Sequence, residues 1–295
     1  MQIKVNGITL TLEDHGAKTA PAMILIRGLG TQLVHWPDEL IHGFVAQGFR
    51  TIVFDNRDVG LSARLDEANT PSEADDILAL ARAGREIPAA YSLTDMAEDV
   101  IGLMDHLELE SAHIFGISMG GAIAQILALN HPERLLSATL VMTTCRPLLE
   151  RGAIAELLPK LLAREPASLE AAQTALIAEY GVWGSPGYPA DDTYIRAQAQ
   201  AAYKRGGPQA AGLNRQLIAT LNAPDRRAAL QNLHLPCCVI HGLQDSLIPP
   251  EHGAELAAHI PNSVYHPVEG MGHIITPRLA PEIVQLVSEF VRKLA

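Results

Sequence analysis

Ala112–His113–Ile114–Phe115–Gly116–Ile117–Ser118–Met119–Gly120–Gly121 reads as a short apolar strand, then Gly-x-Ser-x-Gly, then the start of an apolar run from Ala122 to Leu129. Strand, sharp turn and helix in that order hold a serine in strained backbone, its hydroxyl exposed above a sheet. Side chains two residues to either side of that serine would collide, so Gly116 and Gly120 are positions where only a hydrogen fits. Gly121 lets the following helix pack close to a neighbouring strand. Ser118 also falls near a helix N-terminus, where free N–H groups and the dipole favour a developing negative charge. By composition alone Gly-x-Ser-x-Gly occurs in roughly one chain in ten of this length, so its surroundings decide what it means.

Outward from this stretch, strand-like and helix-like runs alternate. Residues 2–5 and 8–13, joined by Asn6–Gly7, predict a β-hairpin. Residues 22–26 form a buried apolar strand that runs into Arg27–Gly28–Leu29–Gly30, and residues 36–46 have helical spacing. Residues 50–54 predict a strand closed by Asp55–Asn56–Arg57–Asp58–Val59–Gly60, and 137–142 another. A helix beginning at Ser92 or Thr94 carries acidic residues in its first turns, as the dipole favours. This alternation predicts an α/β fold, a mostly parallel doubly wound sheet covered on both faces. Between residues 64 and 90 a polar excursion interrupts the pattern.

From residue 146 to 227 strand-like runs stop, and helical spacing appears at 154–163, 168–179, 193–202 and 209–221. Alternation resumes at Pro236. The expected organisation is a catalytic domain of residues 1–145 and 228–295 with a helical cap, 146–227, inserted over the sheet's C-terminal edge.

Composition narrows the function. The 295 residues are 48% hydrophobic and 19% charged, with a net charge of −11. That charge argues against nucleic acid or an anionic membrane as partner, since both need clustered Lys and Arg. No apolar run reaches the ~18 residues of a membrane span. The three cysteines, two of them adjacent at Cys237 and Cys238, suit reduced thiols in a core, and no C-x-x-C suggests a metal site. The expectation is a cytoplasmic protein with no cofactor and no metal. Whether two copies pair through the insertion is left open.

A serine hydroxyl needs a base within hydrogen-bond reach. Of twelve histidines, His273 stands just past a strand end, in Val268–Glu269–Gly270–Met271–Gly272–His273, where the glycines suit a loop that bends back over the sheet edge. The imidazole then needs a carboxylate to fix its tautomer. Asp245, in the loop after the 236–242 strand, is the first candidate, and Glu269 the second, although it lies close in sequence to His273. The attacked carbonyl needs two preorganised N–H donors. Met119, after the serine, supplies one; Leu29, in the glycine-flanked loop after the 22–26 strand, supplies the other. Gln32, Trp36, Trp183 and Tyr188 are expected to line a hydrophobic pocket beside these residues. The alternative is that the aromatics pack the insertion onto the body.

The order Ser118, Asp245, His273, together with the glycine loop and the helical insertion, resembles the α/β-hydrolase fold family over essentially the whole chain. Phe54 to Ser62 resembles that family's D-x-R-x-x-G-x-S turn, and Asn130–His131–Pro132–Glu133–Arg134 its post-elbow helix end. Arg27–Gly28–Leu29–Gly30, Trp36–Pro37–Asp38–Glu39 and Gly–Ile–Ser–Met–Gly–Gly together resemble a serine esterase subgroup that includes aclacinomycin-type methyl esterases and macrolide esterases. Many members carry His–Gly where this chain has Arg27–Gly28. The resemblance implies a cofactor-free serine hydrolase whose partner is a small-molecule ester. Lactone opening and C–C bond hydrolysis use the same triad and stay open, as does a ligand-binding protein that keeps it as a vestige.

Overall fold

Asn6 and Gly7 both take positive φ, 45° and 76°, as a two-residue hairpin turn requires. They join β1 (Gln2–Val5) to β2 (Ile8–His15) in antiparallel register. The computed structural model describes residues 1–83, 85–147, 158–159, 161–163, 165–206 and 210–294. Among them eight strands form one sheet in the order β1-β2-β4-β3-β5-β6-β7-β8. β3 (Ala22–Ile26), β4 (Arg50–Phe54), β5 (Ala112–Ile117), β6 (Leu135–Val141), β7 (Cys237–Gly242) and β8 (Val264–Val268) run parallel; the β1–β2 hairpin joins β4 antiparallel.

Burial explains the continuous apolar runs. Every residue of β3, β4, β5 and β7 is buried, because helices cover both faces and leave no solvent side to alternate towards. On one face lie α1 (Asp38–Ala46) and the C-terminal helix α10 (Ala280–Arg292), which bring Leu40, Phe44, Ile283 and Val287 onto Phe115 and Val53. On the other lie α3 (Leu93–His106) and α4 (Met119–Asn130), with Val100, Leu103, Ile123 and Leu127 on Ile24 and Ile114. Each such fully buried side chain contributes about 1.5–3 kcal/mol. Helix α9 (Pro250–His259) sets Leu256 and Ile260 into the same layer.

Helix starts follow local chemistry. Ser92 caps α3, its hydroxyl accepting from Asp95 N–H at 3.2 Å while the Asp95 carboxylate accepts from Ser92 N–H at 2.7 Å. The helix expected from residue 36 begins at Asp38 instead. Trp36 precedes a proline and is held extended (φ −70°, ψ 129°), as that position prefers.

Between β6 and β7 the described residues contain helices and no strand: α5 (Leu169–Trp183), α6 (Asp192–Lys204), α7 (Ala210–Leu221) and the short α8 (Arg227–Leu230). Of the helix expected over 154–163, residues 154–157 and 160 lie outside the described residues, as do residues 207–209. The 64–90 excursion holds α2 (Ala74–Arg82), whose Ala74 and Ile77 pack on Leu217, Ile218 and Leu221 of α7. No helix among the described residues is long and apolar enough to cross a membrane.

Candidate active site

Ser118 stands between the end of β5 and the first turn of α4 with φ 53° and ψ −119°, a conformation that costs a non-glycine residue of order 1–3 kcal/mol. The surrounding packing imposes it. Ser118 N–H donates to Val141 O at 3.0 Å, and its carbonyl accepts from Thr143 Oγ1 at 2.8 Å. A methyl group on Gly116 would lie 2.3 Å from Gly120 O, and one on Gly120 2.2 Å from Ile26 O. Gly121 abuts Thr143, where an added Cβ would meet the Thr143 side chain at 2.7 Å.

The structure brings Ser118, His273 and Asp245 together from three loops at the C-terminal edge of the sheet. His273 Nε2 lies 3.0 Å from Ser118 Oγ, and His273 Nδ1 lies 2.7 Å from Asp245 Oδ2. With Nδ1–H donating to the carboxylate, Nε2 is left to accept the serine proton. Asp245 is buried. Its Oδ1 accepts from Leu247 N–H at 2.9 Å and Ile248 N–H at 2.8 Å. Burial opposes its ionisation, but the His273 charge and hydrogen bonds from His241, His273 and Ile248 outweigh it and hold the carboxyl well below the usual range. Glu269, the second carboxylate considered, instead accepts from the Gln244 amide at 2.7 Å on the surface.

Two backbone N–H groups flank the serine. Those of Leu29 and Met119 donate to no protein acceptor among the described residues. A Cβ built on Gly28 would sit 3.1 Å from Ser118 Cβ, so the loop after β3 passes directly beside the nucleophile position. The loop is held from the insertion: Gln216 of α7 accepts from Gly30 N–H at 2.8 Å and donates to Arg57 O at 2.7 Å. Asp55 supports it from below, accepting from Leu33 N–H at 2.7 Å and Leu61 N–H at 3.0 Å. With Arg27 preceding Gly28, these supports are in position.

A profile of the alpha/beta hydrolase fold matches residues 21–276. The chain belongs to the alpha/beta hydrolase fold family. Among curated relatives of this hydrolase-fold chain, the rhodomycin D methylesterase DnrP of Streptomyces peucetius is 26% identical over 287 residues, covering 91% of this chain and 90% of that protein. The 3-oxoadipate enol-lactonase 2 of Acinetobacter baylyi is 28% identical over 262 residues, covering 89% and 85%. Among solved structures, the enol-lactonase of Burkholderia xenovorans LB400 superposes with a TM-score of 0.76 at 23% identity, covering 99% of this chain and 100% of that one; this likeness is one of fold.

In this alpha/beta hydrolase a cavity of about 230 Å³ opens onto Ser118 and His273. Its walls are mostly apolar, with Leu29, Met119, Leu176, Trp183, Leu213 and Leu217 among them. Three expected pocket residues lie elsewhere. Trp36 is only 2% exposed and packs edge-on to Phe115 in the core, because the extended residue before Pro37 turns its side chain inward. Tyr188 packs against that same core and donates to Glu282 of α10, so it ties the insertion to the body. Gln32 is buried, donates to Ala202 O at 3.0 Å and borders a neighbouring cavity of about 360 Å³.

Of the other residues at the cavity, Arg27 stands in the glycine-loop motif, and the rest carry no periodic or motif signal. Arg27, His35, Glu179, Tyr180, Gln198 and Arg226 all border it. The Glu179 side chain is exposed, and the cavity walls around it push its carboxyl up towards about 7. Only juxtaposition in space reveals them. Among the described residues no group of three or more His, Cys, Asp or Glu is placed to hold a metal ion.

Proposed function

We propose that this protein is a serine hydrolase that cleaves a carboxylic ester through an acyl-enzyme. The observation that carries this reading is the unbroken relay from Ser118 Oγ through His273, 3.0 Å on one side, to Asp245, 2.7 Å on the other. Ser118 attacks the ester carbonyl as His273 takes its proton. Asp245 orients the imidazole and stabilises its charged form. The N–H groups of Leu29 and Met119 receive the oxyanion, each worth about 2.7–4 kcal/mol of barrier. His273 then protonates the departing alcohol, and water repeats the sequence to release the acid. The described helices of the insertion act as a cap, with Leu176, Trp183, Leu213 and Leu217 in the cavity wall.

The methylesterase relative, aligned over nine-tenths of the chain, supports the ester reading. The lactonase relative supports a second substrate form, an ester closed into a ring, opened by the same attack. Fluorophosphonate labelling with turnover of p-nitrophenyl acetate tests the chemistry, and a panel of short acyl esters, polyketide methyl esters and macrolactones tests the substrate. A protein that is neither labelled nor active would be a binding protein with a vestigial triad.

A further inference from the structure

Arg27 is 9% exposed and borders the cavity that opens onto Ser118. It forms no ion pair among the described residues. One face of its guanidinium lies 4.4 Å from the Trp36 ring centre. Nε donates to Thr31 Oγ1 at 3.0 Å and Nη1 to His35 O at 3.2 Å. Nη2 has no acceptor among the described residues. The two other arginines at this cavity are committed: Arg226 donates to Gln125, Thr144 O and Pro224 O, and Arg146 pairs with Glu255. Burial lowers the Arg27 pKa to about 10, so the group stays charged at neutral pH. A buried guanidinium without a carboxylate is costly unless something else supplies the negative charge.

His35 borders the same cavity. Its Nδ1 lies 3.0 Å from Gln32 N and 3.2 Å from Gln32 O. Burial first and the Arg27 charge second push the His35 pKa down to about 3, so the ring is neutral and adds no positive charge beside Arg27. Glu179 is the one acidic side chain among the described cavity residues, and it makes no pair with Arg27.

We infer that Arg27 Nη2 anchors a carboxylate-binding subsite, so that the preferred ester carries a second, free carboxylate. The inference rests on the ester-hydrolase reading above and names its substrate class. Arg27 immediately precedes the Gly28–Leu29 loop beside Ser118. Arg27 and Ser118 border the same cavity, so an acyl chain held at the serine can extend towards the guanidinium. A carboxylate oxygen accepts from the guanidinium Nη2 in a charge-assisted hydrogen bond.

The test compares mono-p-nitrophenyl esters of succinate, glutarate and adipate with their neutral p-nitrophenyl methyl diesters. The ratio of the two kcat/KM values is read, in the wild type and in Arg27→Met and Arg27→Lys. The wild type is expected to favour at least one anionic ester by about tenfold or more, and Arg27→Met to lower that ratio about ten- to a hundredfold. A wild-type ratio below ten for all three acids overturns the inference, as does an unchanged ratio in Arg27→Met. Should the variants not fold, or should no ester turn over, calorimetry on the wild type decides: the free diacids must bind at least tenfold tighter than their diamides. Turnover without preference defeats only the subsite; no turnover and no fluorophosphonate label defeats the ester reading while the calorimetry still judges the subsite.

Discussion

The backbone N–H of His273 donates to the carbonyl oxygen of Trp183 at 2.7 Å. One residue is the candidate base; the other ends α5 in the helical insertion. The loop after α5 and the loop after β8 are laced together around this bond. Gly187 N–H donates to Gly270 O at 2.9 Å and Thr276 Oγ1 to Tyr188 O at 2.6 Å, while Ser246 Oγ, in the loop after β7, donates to Val182 O of α5 at 3.0 Å. A Cβ on Gly272 would meet Gly184 O at 2.1 Å, so only glycine permits the approach. The insertion thus does more than wall a cavity: it holds the imidazole in register with Ser118.

Ser185 is the test of that support. Its hydroxyl donates to Ile274 O at 2.6 Å and accepts from Gly272 N–H at 3.0 Å, and it is buried. Ser185→Ala leaves both backbone groups unpaired, at about 1–3 kcal/mol of stability. Because the bonds flank His273, kcat falls while KM changes little. Steady-state kinetics beside a thermal melt check this; a lower melting temperature with unchanged kcat would make Ser185 a structural residue only.

The carboxylates are separable by mutation. Asp245→Asn leaves the geometry but spoils the tautomer, and it is expected to lower kcat by about 10⁴-fold, as in other triads. Glu269→Gln leaves the rate near wild type, since its partner is a surface amide. Ser118→Ala abolishes turnover with the fold intact. The reverse order of the two carboxylate variants, or more than a few per cent of activity in Ser118→Ala, is incompatible with the mechanism.

Glu179 carries a pH dependence. Its side chain is exposed, and the surrounding cavity walls raise its carboxyl from 4.5 towards about 7, so solvent screening keeps the resulting slope shallow. Between those values the unfolded chain has released a proton that the native state still holds, so stability falls as pH rises from 4.5 to 7 and is level beyond. Glu179→Gln removes this slope and melts higher than wild type at pH 8, with little difference at pH 4.5. Melting curves across pH 4–8 measure it; parallel curves for the two proteins would mean the group titrates as in water.

The two tryptophans differ in kind. Trp36→Ala empties a site in the sheet core and is expected to cost about 3–5 kcal/mol. Trp183→Ala, at the cavity wall, is expected to shift the preferred acyl length in the ester panel with a smaller loss of stability. Chemical denaturation and the panel separate them. A Trp183 variant that loses stability while keeping its substrate profile shows that this ring, too, only packs.

Much of this protein follows from the order of its residues. Apolar runs without alternation at 22–26, 52–54 and 114–117 require a sheet buried on both faces, whatever surrounds them. Gly116, Ser118 and Gly120 dictate a strained turn, because sterics there act over a few residues. Asp245 and His273 stand at strand ends, where a doubly wound sheet gathers its loops at one edge. The residues bordering the cavity obey no such local rule. Trp36 and Trp183 look alike in the chain, yet one turns into the core ahead of Pro37 and the other ends a helix over the site. Arg27, His35 and Glu179 became visible together only when β3, the turn after it and α5 met across one space. Contacts between residues more than a hundred positions apart have no period to betray them; which side chains share a wall, and which charges lack a partner, is decided by packing alone.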